Sequence, residues 1–346
     1  MSKKLLGICA FAVIIGSLVL MVMNPNRQVF SESEVVIQTP APREVYLGAW
    51  AGGFWDSESK TLTTGALTAF QSMIGKKVAI ANMFAGWKYL SDPDLIHKLN
   101  EISRNNWTPM ISSNPSFFEE CRDEKNGSLY KTIASGSCDQ FLHKAAQNLK
   151  SYEKPIFFRF AWEMNLPSMW WSVDKVKSNP EEFIAAWKHF HDILKMERAD
   201  NVIWVLSFNT SSSVTIPYAK LYPGDAYVDW VAIDGYNWGD TQPWGGWNSF
   251  NGVFRKSYDE LTAVSQKPVM LSEVNSASSG GNKAKWLADM LDTQIPENYP
   301  AVSAIVFFNE NKFDGESVDW RMEISSDNLT TLQNSLSKDL YRSYYP

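Results

Sequence analysis

The sequence predicts an α/β fold, a single (β/α)8 TIM barrel, and three observations carry that prediction. Eight short apolar runs recur along the chain, near Val45, Val78, Met110, Phe158, Trp204, Ala232, Met270 and Val306. The runs are continuous rather than strictly alternating, as in strands covered on both faces. Between them lie stretches with helical spacing, and strands alternating with helices over roughly 300 residues imply a closed parallel sheet. An open doubly wound sheet is the runner-up. Neither G-x-G-x-x-G nor a P-loop follows the first run, so the usual nucleotide-binding signature of that alternative is missing.

Residues 1–23 come first. Behind Lys3 and Lys4, "LLGICAFAVIIGSLVLMVM" from Leu5 to Met23 carries no charge, and at about 1.5 Å per residue it is long enough to cross a bilayer core. The junction "VMNPNRQ" offers no small-residue cleavage site, which favours an uncleaved transmembrane anchor over a removed signal peptide. Two lysines before the span against Arg27 after it keep the amino terminus cytoplasmic and place the remaining chain outside. With cleavage the product is secreted instead. Residues 24–44 are polar with several prolines and read as a linker. Residues 45–346 form the barrel.

Within the barrel the clearest helix begins at Asn179, which can cap, followed by Pro180 at the first helical position and Glu182 three residues after the cap. Phe183, Ile184, Trp187, Phe190, Ile193 and Leu194 then form one apolar stripe. Similar stripes occur at Leu95, Ile96, Leu99 and Ile102, at Phe250, Val253, Phe254, Tyr258 and Leu261, and at Trp286, Leu287, Met290 and Leu291. The fifth connection, around "SSSVTIPYAKLYPGD", is the least helical. Cys121 and Cys138 either form one disulfide on the oxidising side of a membrane or remain two unpaired thiols.

A formal net charge of −6 without a block of consecutive lysines or arginines gives no footprint for nucleic acid. Fifteen tryptophans, thirteen tyrosines and nineteen phenylalanines serve either core packing or the faces of sugars and other planar ligands. No zinc-spaced Cys/His cluster, H-E-x-x-H or G-x-S-x-G occurs, so neither a metal nor another cofactor is expected.

In such barrels chemistry gathers at the carboxyl ends of the strands. Polar and aromatic residues at those ends are Trp50, Asp56, Asn82, Trp87, Asn114, Glu163, Asn165, Asn209, Tyr236, Asn237, Trp238, Glu273, Asn275, Asn309 and Glu310. Two glutamates thus end two well-formed apolar strands. Glycosidic bond cleavage asks for such a pair: an acid protonates the leaving oxygen while a carboxylate attacks the anomeric carbon or activates water. A carboxyl separation of ~5–5.5 Å means retention and ~6.5–9.5 Å inversion. The competing reading is that each glutamate closes a salt bridge inside the barrel, for example with Arg159.

Resemblance adds to this. "RFAWEMN" from Arg159, "YPGDAYVDWVAIDGYNWG" from Tyr222, "KPVMLSEV" from Lys267 and "DWR" followed by "SS" from Asp319 together resemble glycoside hydrolase family 26, in order and over about residues 45–346. That family holds β-mannanases and some β-glucanases and xylanases. The resemblance implies a (β/α)8 barrel, Glu163 as general acid/base, Glu273 as nucleophile and Tyr236 as the tyrosine that hydrogen-bonds the nucleophile. It implies a retaining endo-β-glycosidase acting on a polysaccharide. Arg159 would supply positive potential beneath Glu273, and Trp162, Trp170, Trp171 and Trp238, with Trp247, are candidates for contact with sugar rings. The family's mannanases usually carry "HEMN" where this chain has Trp162, and often a tryptophan where this chain reads "FFN" at Phe307 to Asn309. The subsite holding the ring to be cleaved therefore differs. A barrel that binds polysaccharide without cleaving it, or a transglycosylase, associated with exopolysaccharide machinery, is the alternative.

Overall fold

The computed structural model describes residues 43–52, 64–116, 121, 127–210 and 213–346. The expected anchor, nearly all of the expected linker, and Asp56 lie outside the described residues. Among the described residues no helix is long and apolar enough to cross a membrane.

The elements run β1 (Val45–Trp50), α1 (Gly65–Ile74), β2 (Ile80–Gly86), α2 (Asp94–Arg104), β3 (Thr108–Asn114), α3 (Leu129–Ala134), α4 (Asp139–Ser151), β4 (Ile156–Phe160), α5 (Pro180–Glu197) and β5 (Val202–Asn209). The second half continues with α6 (Tyr218–Leu221), β6 (Trp230–Asn237), α7 (Phe250–Val264), β7 (Val269–Ser276), α8 (Lys283–Ala288) and β8 (Val302–Phe308). A hairpin of β9 (Asn311–Lys312) and β10 (Val318–Asp319) encloses α9 (Phe313–Glu316), and α10 (Ser326–Leu336) and β11 (Tyr341–Arg342) end the chain. Strands β1 to β8 pair in parallel in sequence order, and β8 returns to β1, which closes the barrel. Eight parallel strands closed by intervening helices make this a (β/α)8 barrel.

Most expected elements stand where the sequence places them. α5 opens with a complete capping box: Asn179 accepts from the Glu182 amide, the Glu182 carboxylate accepts from the Asn179 amide, and Pro180 takes the first turn. The fifth connection is the least helical, as expected, with α6 and a 3-10 turn at Asp225–Tyr227 among its described residues. The stripe at Trp286–Leu291 does not form one helix. α8 stops at Ala288 and a π-helical stretch, Asp289–Asn298, follows with Pro296 inside it, a residue that removes a backbone donor. Cys121 and Cys138 form a disulfide, closing a connection of 17 residues at a gain of about 3 kcal/mol in the chain-entropy model.

Period-two alternation sorts the strand side chains into two groups. Leu47, Ala81, Ile111, Phe158, Leu206, Ile233, Leu271 and Phe307 belong to the layer under the helices. Ile80, Met110, Phe157, Val205, Ala232, Met270 and Val306 form a separate buried cluster, which fills the lower barrel. A Cβ on Gly48 would lie 2.9 Å from Val306 Cγ2 and 3.0 Å from Ile80 Cβ, so only glycine fits there. Two residues further along the same strand faces the interior turns polar: Asn82, Ser112, Arg159, Ser207, Asp234 and Ser272, all fully buried. The carboxyl ends of the strands therefore sit above a charged layer resting on an apolar one.

Candidate active site

Arg159, fully enclosed, is the centre of that charged layer. Its Nη1 donates to Glu273 Oε1 at 3.0 Å and to Ser112 Oγ at 3.1 Å. Its Nη2 donates to Asp234 Oδ2 at 2.5 Å and to Ser207 Oγ at 3.2 Å. One guanidinium therefore bridges carboxylates from two strands, a geometry that suits the planar fork of arginine and not lysine. The salt bridge allowed for Glu273 on sequence grounds is present, with Tyr236 in addition. Arg159 does not reach the surface, so it supports the site from below and has no exposed face for a substrate.

Glu273 and Ser272 are adjacent in β7, yet both point inward. Pairing shifts register between Leu271 and Val274 against β8, and between Ile233 and Asp234 against β6. A bulge of this kind lets neighbouring residues escape the alternation. Ser272 Oγ donates to Asp234 Oδ1 at 2.5 Å, while Glu273 Oε2 accepts from the Tyr236 hydroxyl at 2.6 Å. Tyr236 is held as a phenol: burial first, then the neighbouring Glu273 charge, pushes its pKa well above the ordinary value.

Glu163 arrives by another route. β4 ends at Phe160, after which Ala161 and Glu163 both adopt positive φ, 50° and 55°. Such left-handed backbone costs a non-glycine residue on the order of 1–2 kcal/mol and is found where the surroundings over-determine a functional position. The Ala161 amide still pairs with Ser113 O at 2.8 Å on β3, but the Glu163 amide donates to Ser207 O at 3.0 Å on β5. The chain has crossed the top of its own strand, which carries the carboxyl group to Asn209, whose Nδ2 donates to Glu163 Oε1 at 2.6 Å.

The charge count sets the direction of the shifts. Among the described residues three carboxyl groups, Glu163, Asp234 and Glu273, share one cation, Arg159. Asp234 takes the guanidinium and two serine hydroxyls, and Glu273 takes the guanidinium and a phenol. Among the described residues Glu163 is met only by the neutral amide of Asn209. Burial first, then the charges of Asp234 and Glu273, raises its pKa well above the usual carboxylate value. Burial and Glu273 also raise Asp234, to about 7, against the pull of Arg159 and the two serines. The arrangement favours the protonated form of Glu163, beside a Glu273 held by the guanidinium and the phenol.

Aromatic rings flank the pair. Trp162, 8% exposed, packs on Phe84 at 5.3 Å and on Trp171 at 4.5 Å. Trp171, a candidate for contact with sugar rings, is buried and its indole donates to Trp162 O at 2.7 Å, so it braces Trp162. Trp170 is 48% exposed and meets Trp171 edge-on at 5.3 Å. Across the barrel mouth Trp238 packs on Trp320 at 4.9 Å and near Tyr236 at 6.1 Å. Trp247 lies against Gly281, where a Cβ would strike its ring at 2.2 Å. His143 and His189 are engaged far from this mouth, with Glu197 and Asp139 respectively.

Sequence reasoning missed Asp234, Ser272 and Trp320. Asp234 lies two residues before Tyr236 on one strand, so strand parity alone places both on the inner face. Ser272 continues the inner face of Met270 by the same parity, and the bulge that brings neighbouring Glu273 inward as well left no sign in the sequence.

The sequence model of glycosyl hydrolase family 26 matches residues 99–279. The chain is 34% identical to Endoglucanase H of Acetivibrio thermocellus over 295 residues, 84% of this chain and 30% of that protein. It is 29% identical to mannan endo-1,4-beta-mannosidase A and B of Caldalkalibacillus mannanilyticus over 123 residues, 33% of this chain and 23% of that protein. The chain thus spans less than a third of the length of either relative. Among solved structures it superposes on the catalytic domain of a Bacillus sp. JAMB-750 GH26 endo-beta-1,4-mannanase with a TM-score of 0.62 at 16% identity, covering 87% of both chains. A GH26 beta-mannanase from Bacteroides ovatus superposes with a TM-score of 0.59 at 16% identity over 87% of this chain and 90% of the other. At such identity these two likenesses speak for the fold.

Proposed function

The chain belongs to glycosyl hydrolase family 26, and from that premise we propose that it is a retaining endo-β-glycosidase that cuts within a polysaccharide, β-glucan in preference to β-mannan. Glu163 protonates the departing sugar oxygen and later deprotonates the incoming water. Glu273 attacks the anomeric carbon and carries the glycosyl group between the two steps. The observation that carries the reading is the division of the cluster: Glu273 is ion-paired and aimed by Tyr236, whereas Glu163 touches no cation among the described residues and its burial beside Asp234 and Glu273 favours the protonated form. An acid and a nucleophile with environments pushed apart are what this chemistry needs.

Two observations support glucan. The match along most of the chain is to an endoglucanase, while the match to a mannosidase covers a third of it. Trp162, replacing the histidine usual in the family's mannanases, presents an apolar face beside Glu163 where a ring nitrogen would otherwise meet the substrate. The proposal also places the barrel outside the cytoplasm, anchored through residues 5–23. The Cys121–Cys138 disulfide supports an oxidising compartment. Release of reducing ends should be followed on mixed-linkage β-glucan, β-mannan, xylan and the host's own exopolysaccharide. Glucan cleavage is the expected outcome. Tight binding of one glycan with no reducing ends from any would replace the hydrolase with a binding barrel.

A further inference from the structure

The loop from Gly239 to Gly246, between β6 and α7, is built to hold one ring in solvent. Trp244 at its tip is 68% exposed. The loop closes on itself: the Gly246 amide donates to Gly239 O at 2.6 Å, and the Gly245 amide to Gln242 O at 2.9 Å. Gly239 and Gly246 have positive φ, 52° and 146°, and a Cβ on Gly245 would fall 2.4 Å from Gly239 O. No other residue type closes this turn. Its base is fixed by Asn237, whose Oδ1 accepts from the amides of Gly239 at 3.3 Å and Asn248 at 2.9 Å. Its flank is tied by Gln242 Nε2, donating to Glu316 O at 2.5 Å. A loop so constrained has lost its entropy before any ligand arrives.

The exposed ring is also continuous with the candidate site. Trp244 meets Trp238 edge-on at 5.2 Å, Trp238 lies 6.1 Å from Tyr236, and the Tyr236 hydroxyl is on Glu273. The file of contacts runs from the exposed Trp244 to Glu273. We propose that Trp244 is the platform of an outer subsite, stacking on the apolar face of a β-linked hexopyranose a few residues from the bond being cut. This rests on the hydrolase reading. The occupant follows from chemistry: a flat, exposed indole held at its edge by Trp238 offers a face that suits the axial C–H face of a pyranose ring.

The test compares the wild type with Trp244→Ala and Trp244→Phe on a ladder of oligosaccharides from whichever of mixed-linkage glucan or mannan the wild type cuts. The ratio of kcat/KM on long to short members should fall roughly tenfold for Trp244→Ala, the loss of one buried stacking contact, and should largely recover for Trp244→Phe. A loss equal at every length, or none at any length, overturns the subsite. Calorimetric binding of both the mixed-linkage glucan and the mannan ladders, with Trp244→Ala made in a Glu163→Gln background, reports independently of turnover. Long members should bind that double variant roughly tenfold more weakly than Glu163→Gln alone, and equal affinity overturns the proposal. A wild type that cuts nothing would refute the hydrolase reading, while this second arm still decides the platform.

Discussion

Arg159 explains why charged groups are tolerated at the heart of an apolar barrel. Desolvating its guanidinium alone would be prohibitive, but it meets Asp234 and Glu273 directly, and Asp234 is further satisfied by Ser207 and Ser272. The surplus negative charge falls on Glu163. A glutamate whose folded pKa is raised binds more protons folded than unfolded, so its contribution to stability is full below the unfolded value of about 4.3 and is lost as pH rises through the folded one. On the proposed roles, kcat/KM should fall on the alkaline side as Glu163 ionises. Asp234→Asn removes a charge that raises Glu163, so the alkaline limb of the pH profile should move to lower pH, and an unmoved limb would show that Asp234 does not act through Glu163. Glu163, Glu273 and Tyr236 were legible in the sequence because each ends or follows an apolar run. Asp234 was not, because it lies inside such a run, and the left-handed turns at Ala161 and Glu163 use residues that do not advertise them.

Elements above the strands fix where these side chains meet. Lys283, the first residue of α8, is buried, and its Nζ donates to Trp320 O at 2.9 Å and Arg321 O at 3.1 Å. Asn275 Nδ2 takes Trp320 O as well, at 2.6 Å. These bonds hold Trp320 against Tyr236, 4.8 Å between rings, and so brace the phenol that aims Glu273. Burial lowers the Lys283 pKa to about 7, against the opposing charges of Asp319 and Glu323. Between that value and the ordinary one of about 10.4 the unfolded chain binds the extra proton, so this group makes stability rise with pH across the window. Lys283→Met should flatten that rise in thermal midpoints taken from neutral to alkaline pH, and an unchanged slope would reject the buried-lysine account. The strands and α5 could be read because apolar runs and a capping box are local signals. α3, α4 and β11 are not among the stripes and runs named from the sequence, and the break from α8 into a π-helix depends on packing that no local pattern encodes.

At the scale of the molecule, the barrel is two cores with a polar layer between strand ends and solvent. Apolar side chains fill the lower interior and the space under the helices, so the fold can afford a cluster of three carboxyl groups and one arginine in its upper third. The closed parallel sheet brings β4 and β7 to face one another, which sequence separation hides and topology restores. The account's central claim is that Glu273 attacks while Glu163 handles protons. It is tested most directly by giving Glu273→Ala an activated aryl β-glycoside together with azide. The account predicts that turnover is rescued with the α-glycosyl azide as product, since azide enters from the face the carboxylate has left. A β-glycosyl azide from that variant, or full hydrolysis without azide, would contradict it.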